Sequence, residues 1–222
     1  MSVKLVSYSK PSFELMNDGI EDMKELVAFC ARVSNPSNQF NTSTSEKLIM
    51  YLVRNKHWSP LEMVSVCLEI ETTRDIARQM LRHRSFSFQE FSQRYADPTK
   101  ELEFVIRETR LQDTKNRQNS IETVDDELKK VWEQKQQEVI QKSVEVYQWA
   151  IDNGIAKEQA RCVLPEGNTK SRLYMNGTVR SWIHYIELRN GNGTQKEHAL
   201  IAFECAKVIS SVFPVEMVNK ID

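Results

Sequence analysis

No apolar run in this sequence approaches the ~20 residues that a helix needs to cross a bilayer, so no membrane-spanning helix is expected. The chain lacks any CxxC pair. Its four cysteines stand far apart, at 30, 67, 162 and 205, which excludes a disulfide framework and a structural zinc site; no metal is expected. Glycine is scarce, at six residues, and forms neither GxGxxG nor a Walker A loop, so no glycine-rich phosphate cradle is present. Net charge is also missing. Thirty Lys and Arg against 31 Asp and Glu leave -1, which gives no whole-chain footprint for nucleic acid or an anionic membrane. The first residues, MSVKLVSYSK, lack the apolar stretch of a secretory signal, so a cytoplasmic location is expected. What remains is an ordinary globular composition, 40% apolar and 27% charged over 222 residues, read as a single domain, 1–222.

The pattern along the chain is mixed. Residues 3–8 alternate as a short strand, and 63–71, rich in Val, Ile and Leu, read as another. Further strands are expected at 102–106 and 169–175. Helical spacing of apolar residues predicts helices over 20–33, about 45–55, 73–83, 157–163, 178–189 and 195–212. The longest predicted helix spans 120–153 and stops at Gly154, with one stripe of Ile121, Val124, Leu128, Val131, Val139, Val146 and Ile151. Helices outnumber strands and no regular βαβ rhythm appears. The fold class expected is α+β, with helices packed on a small, mostly antiparallel sheet.

One stretch departs from this average. Residues 74–95 read RDIARQMLRHRSFSFQEFSQRY, where five arginines face only Asp75 and Glu90. Arg74, Arg78 and Arg82 at i, i+4, i+8 are expected on one helix face, with Ile76, Ala77, Met80 and Leu81 turned to the core. All the cations are Arg, whose planar guanidinium binds phosphate or carboxylate bidentately. Phe86 and Phe88 alternate with Ser85, Ser87 and Gln89 as in a half-buried strand. A bend near 88–91 is expected to keep Glu90 out of the core and to turn Glu90, Ser92 and Arg94 toward one ligand.

Arg82-His83-Arg84, seven residues and then Ser92 match the RHR-x7-S signature of the flavin-dependent thymidylate synthases (the ThyX type). The fuller form RHRxxSxxExSxRY is complete, with Ser87, Glu90, Arg94 and Tyr95 in place. Ala31-Arg32-Val33-Ser34 resembles the family's ARVS segment. His57-Trp58-Ser59-Pro60-Leu61-Glu62 resembles its H-x-[ST]-P-x-E element, and Arg161-Cys162-Val163-Leu164-Pro165 its AR-x-x-LP segment. Asn176 through Arg180 and His184 to Leu188-Arg189 is similar to its C-terminal helix ending in LR. These pieces run in family order over nearly the whole chain. Met63 departs from the pattern, standing where a His often follows the Glu.

The resemblance implies reductive methylation of dUMP to dTMP. Methylenetetrahydrofolate would give the carbon and FAD would carry reducing equivalents from NADPH. It implies a homotetramer with sites built between subunits. On the nucleotide side it places Gln79, Arg82, Glu90, Ser92, Gln93, Arg94, Arg161 and Arg189, with Arg82, Ser92 and Arg189 nearest the chemistry. On the flavin side it places Ser34, His57, Ser59, Glu62, Arg82, His83, Arg84, Ser85, Gln89, Glu90, Arg180 and His184. With no glycine-rich loop, the phosphates of dUMP and FAD would fall to side chains, and NADPH would dock on the flavin without a dinucleotide fold of its own.

Each group also has a plain structural reading. His83 could end its helix near the negative dipole end, His184 could be a core histidine, and Glu158 and Arg161 could form an i, i+3 ion pair. The cysteines read as buried small hydrophobes, with Cys162 beside Arg161 the one candidate thiolate. Two other functions compete. Basic residues interleaved with aromatics suit a non-enzymatic nucleotide or single-strand binder, and a thymidylate synthase of the unrelated class would need a cysteine nucleophile, for which no cysteine segment speaks.

Overall fold

The computed structural model describes residues 1–191 and 193–213. In chain order the elements are β1 (Ser2–Tyr8), α1 (Phe13–Asn17), α2 (Met23–Ala31), α3 (Ser45–Arg54), β2 (Ser65–Thr73), α4 (Arg74–Met80) and β3 (Ser87–Glu90). There follow α5 (Pro98–Glu101), β4 (Arg110–Gln112), β5 (Ser120–Glu122), α6 (Asp126–Asp152), α7 (Lys157–Ala160), β6 (Lys170–Thr178), α8 (Val179–Arg189) and α9 (Lys196–Ser210). Strands β1, β2, β6 and β3 make one sheet in that order, every pairing antiparallel. The α+β class expected from the sequence is the one observed.

One face of the sheet carries Val66, Leu68, Ile70, Leu173 and Met175, all buried. Helices α8 and α9 cover it. Trp182 of α8 is fully buried, and its indole N–H donates to the Val66 carbonyl at 2.9 Å, so the large ring enters the core without losing its hydrogen bond. Each such apolar side chain contributes about 1.5–3 kcal/mol on leaving water. Phe86 stacks edge-on against Trp182, with ring centroids 4.8 Å apart. It can do so because residue 177 is glycine: a Cβ there would lie 2.4 Å from the Phe86 ring.

Several expectations change. The helix predicted from Ser120 begins at Asp126, where Asp125 accepts the Leu128 N–H at 2.9 Å. Ser120–Glu122 instead pairs with Arg110–Gln112 as a hairpin. The predicted stripe faces this chain's core only near its end, where Ile151 packs with buried Tyr147 and Ala150; Val124, Leu128, Val131 and Val139 are exposed. Residues 102–106 form no strand but one bridge, Phe104 to Thr169. Helix α2 is shorter than 20–33 because Asp22 caps it, in a capping box with Glu25. Helix α4 ends at Met80 rather than His83. Strand β6 runs on to Thr178. Of the cysteines only Cys205 is buried, and Cys162 is exposed.

Candidate active site

The segment 81–86 turns away from α4 through N–H bonds of His83 to the Met80 carbonyl (2.9 Å) and of Phe86 to the His83 carbonyl (3.3 Å). Buried Phe86 anchors the turn, leaving Arg82, Arg84 and Ser85 exposed while His83 points inward. Phe86 and Phe88 therefore serve the core rather than a stacking platform, which weakens the support for a single-strand binder, while Tyr95 is exposed. His83 does not cap its helix as a cation. Its Nε2 accepts the Arg189 Nε–H at 2.9 Å, and its ring stands edge-on to Tyr185, 4.9 Å away. Burial, then Arg189 and Arg82, push its pKa down to about 4.

The five arginines separate by partner. Arg74 is not on a solvated face: its side chain is 7% exposed and pairs with Glu90 (3.5 Å) and Glu166 (3.3 Å). Arg78 reaches the same two carboxylates at 3.9 and 3.5 Å. Arg94 pairs with Glu158 at 3.2 Å, and the alternative Glu158–Arg161 ion pair is not formed. Arg82 and Arg84, with Arg161, make no ion pair among the described residues. The local positive excess thus concentrates at 82 and 84, and Arg82 acts on Arg189, which is bonded to the neighbouring His83. Arg189 itself has a pKa lowered by burial, with Arg82 adding to the effect. Two guanidinium groups held this close, with no carboxylate between them, are relieved by an anion.

The expected bend before Glu90 is absent. Strand β3 runs through Glu90, which enters the protein and meets Arg74 and the Ser171 hydroxyl, a donor at 2.7 Å. Its partners make burial of the charge tolerable. Ser92 lies beyond the strand, where its Oγ accepts the Arg94 N–H at 3.3 Å. Gln93 is 3% exposed, and its Nε2 has no partner among the described residues. Glu90 and Arg94 therefore turn to different carboxylate and guanidinium partners and do not converge within this chain.

Helix α8 connects the other candidates. At its start Thr178 caps Ser181, whose hydroxyl donates to the Ser85 carbonyl at 3.3 Å. Arg180 pairs with Glu62, and His184 stands edge-on to Trp58 at 4.5 Å. His184 is exposed, not a core histidine. His57, also exposed, faces Tyr51 at 5.9 Å, and Ser59 opens the turn leading to Glu62. Met63, where the family pattern departs, is exposed beside them. Arg180 and Arg189 lie about 13.5 Å apart along the axis at ~1.5 Å per residue. Ser34 lies elsewhere, lining a cavity of about 500 Å³ with Arg32, Asn38 and Lys47. Gln89 is exposed on β3. Within one protomer these residues form separate groups: His57, Glu62, Arg180 and His184; Gln79, His83 and Arg189; Ser92 and Arg94.

Sequence reasoning missed Tyr185, Gln195, Glu197 and His198, which bond to Gln79 or to one another. A signal was present: Glu197 and His198 occupy the buried register of α9 that continues through Ile201, Ala202 and Cys205. No cluster of His, Cys, Asp or Glu suited to a metal occurs among the described residues.

An α+β scaffold that offers unpaired guanidinium groups from separate elements, without a glycine-rich loop, is of the class suited to hold anions by side chains. The chain belongs to the thymidylate synthase complementing protein family, whose model matches residues 15–215. It is 48% identical over 214 residues to the probable flavin-dependent thymidylate synthase of Paramecium bursaria Chlorella virus 1, covering 96% of each chain. It is 50% identical over 215 residues to the flavin-dependent thymidylate synthase of Synechocystis, again over 96% of each. Among solved structures it resembles the UMP/dUMP methylase PolB of Streptomyces cacaoi bound with 5-Br dUMP. The TM-score is 0.75 at 26% identity, covering 95% of this chain and 90% of that one.

Proposed function

We propose that this chain is a flavin-dependent thymidylate synthase, one domain over 1–222, that methylates dUMP to dTMP in the cytoplasm with methylenetetrahydrofolate as carbon donor. The observation that carries this is the pair Arg82 and Arg189, two guanidinium groups brought together beside His83 without a carboxylate partner. They suit the phosphate of a nucleotide. Bound FAD, reduced by NADPH, would supply the hydride. The chain's residues fit that cofactor: exposed Arg84, His57, Ser59 and His184 and the Arg180–Glu62 pair offer donors and a cation to a pyrophosphate and a flavin ring. The cavity at Ser34 supplies further polar groups, and Ser85 and Gln89 are exposed after α4 and on β3.

Arg82, Arg189, Gln79 and Arg161 hold the nucleotide, with Ser92, Gln93 and Arg94 contributing from the segment after β3. Glu90 orients Arg74 and Arg78 and fixes where that segment leaves the sheet. No helix of the described residues is long and apolar enough to cross a membrane. The exposed Val131, Trp132 and Val139 of α6, with Val124 just before it, and the separate residue groups within one protomer, favour a homotetramer in which copies complete one another's sites. The test is optical. The purified protein is expected to show a flavin absorption band that bleaches with NADPH, and to form dTMP from dUMP and methylenetetrahydrofolate. A colourless protein that neither binds added FAD nor forms dTMP would refute the reading.

A further inference from the structure

Behind His83 a second histidine is enclosed. His198 of α9 is fully buried, and both its ring nitrogens are engaged. Nδ1 lies 3.1 Å from Gln79 Oε1, and Nε2 lies 3.1 Å from the Tyr185 hydroxyl. The chain of bonds continues from Gln79, whose Nε2 donates to Gln195 Oε1 at 2.9 Å. Gln195 Nε2 in turn donates to Glu197 Oε2 at 2.9 Å. Arg110 holds Glu197 at 2.5 Å and Arg107 at 3.5 Å.

The direction of this chain follows from its one acceptor-only end. A carboxylate between two guanidinium groups can only accept. Gln195 therefore turns its NH2 to Glu197 and its carbonyl to Gln79. Gln79 then gives its NH2 to Gln195 and its carbonyl to His198. A carbonyl needs a donor, so His198 carries its proton on Nδ1, and its bare Nε2 accepts the Tyr185 O–H. Burial, then the charges of Arg189 and Arg82, keep the ring neutral, its pKa pushed down to about 3. Gln79 keeps one N–H and one carbonyl lone pair unused.

We propose that His198 is a positioning residue for the nucleotide site: with the polarity set by Glu197, its Nδ1–H locks the Gln79 amide in one of its two orientations. A flipped amide would exchange donor for acceptor at every point of contact with the ligand. The proposal rests on the reading of Gln79 as a nucleotide contact, and its test separates the two.

The first measurement is nitrogen NMR of the FAD-loaded protein with labelled histidine, the His198 signals assigned by their loss in His198→Asn. A neutral ring protonated on Nδ1 is expected at pH 7; a proton on Nε2 would overturn the bond polarity. The second is dUMP affinity by calorimetry. Asn places an amide N–H near the Nδ1 position, and His198→Asn should bind dUMP within about twofold of wild type. Gln reaches only the Tyr185 side, and His198→Gln should weaken dUMP about threefold to tenfold, raising KM while kcat at saturation holds. Equal losses in both variants, or none in His198→Gln, would overturn the role of His198. Gln79→Ala is the reference. Unchanged dUMP affinity there would overturn the nucleotide reading of Gln79 and the role of His198 with it. A defect in Gln79→Ala without one in His198→Gln would overturn the role of His198 alone.

Discussion

Arg189 donates its Nε–H to the Nε2 of His83 at 2.9 Å, which obliges the imidazole to be neutral. A protonated His83 would face Arg189 as a second cation with no lone pair to offer. The fold therefore opposes protonation, and the consequence for stability has a definite sign. The folded pKa of His83 is about 4, below the 6.5 of a free histidine, and that of His198 about 3. Below pH 6.5 the unfolded chain takes up protons that the native chain refuses. Stability should be flat with respect to these groups above pH 6.5, fall as pH drops from 6.5 toward 4 for His83, and continue falling toward 3 for His198. The ceiling is about 1.4 kcal/mol per pH unit for each histidine, less for His83 because solvent reaches it. Urea midpoints from pH 7.5 to 4.5, at fixed protein concentration, check this. A His83→Gln variant should show a shallower slope; an unchanged slope would exclude His83 as a source.

Glu90 and Arg74 form a pair whose members are both largely withdrawn from water, at 3.5 Å. Removing one partner of such a pair costs about 3–5 kcal/mol, because the other is left buried and uncompensated. Glu90→Leu should fall in that range, eased by the second carboxylate of Glu166 on Arg74. Glu90→Leu with Arg74→Met should recover part of the loss. Denaturation of the two variants reads this, and a double variant less stable than the single would refute the pairing as the cause.

These residues also show what the sequence could and could not disclose. The strand read at 63–71 and the helix read at 178–189, observed at Ser65–Thr73 and Val179–Arg189, were legible because their apolar patterns persist over many residues. The hairpin of Arg110–Gln112 with Ser120–Glu122 was not: each strand offers one apolar residue, Leu111 or Ile121, and no period can be read from one. The RHR segment announced an anion site, yet not which arginines were free. Arg74 and Glu166 lie 92 positions apart, and only the fold could show that they meet and leave Arg82 and Arg84 unpaired. The apolar stripe of α6 was visible as a pattern, but a pattern says that a face is covered without saying by what.

Arg82, exposed and without an ion pair, can be changed with little cost to the fold, within about 0.5 kcal/mol. Its loss should fall on binding. A charge-assisted hydrogen bond is worth about 1.5–3 kcal/mol, so Arg82→Ala should weaken dUMP and FAD use by about tenfold to a hundredfold. Lysine should restore only part, since it lacks the planar fork. Titrations of dUMP and FAD with unchanged thermal stability would confirm a ligand-facing role; wild-type affinities for both would remove Arg82 from the site.

Ser92 closes the RHR-x7-S signature, and its hydroxyl invites assignment as a nucleophile. Its surroundings argue otherwise. A serine attacks at neutral pH only when a base takes its proton. Its Oγ accepts the Arg94 N–H, and no histidine or carboxylate bonds to it among the described residues. The four histidines are engaged elsewhere: His83 with Arg189, His198 with Gln79 and Tyr185, His184 against Trp58 and His57 against Tyr51. Glu90, the nearest carboxylate in sequence, is taken by Arg74 and Ser171. The hydroxyl is better suited to donate a hydrogen bond to the nucleotide. Such a bond is worth about 0.5–1.5 kcal/mol, or up to about 3 with a charged partner, so Ser92→Ala should lose roughly twofold to a hundredfold in turnover. An obligatory serine nucleophile would cost on the order of a millionfold, as in a serine hydrolase. Turnover of Ser92→Ala at saturating dUMP, NADPH and methylenetetrahydrofolate, on enzyme loaded with FAD, separates the two. Complete loss of tritium release from the pyrimidine and of dTMP formation, with dUMP and flavin still bound, would return Ser92 to the role of nucleophile.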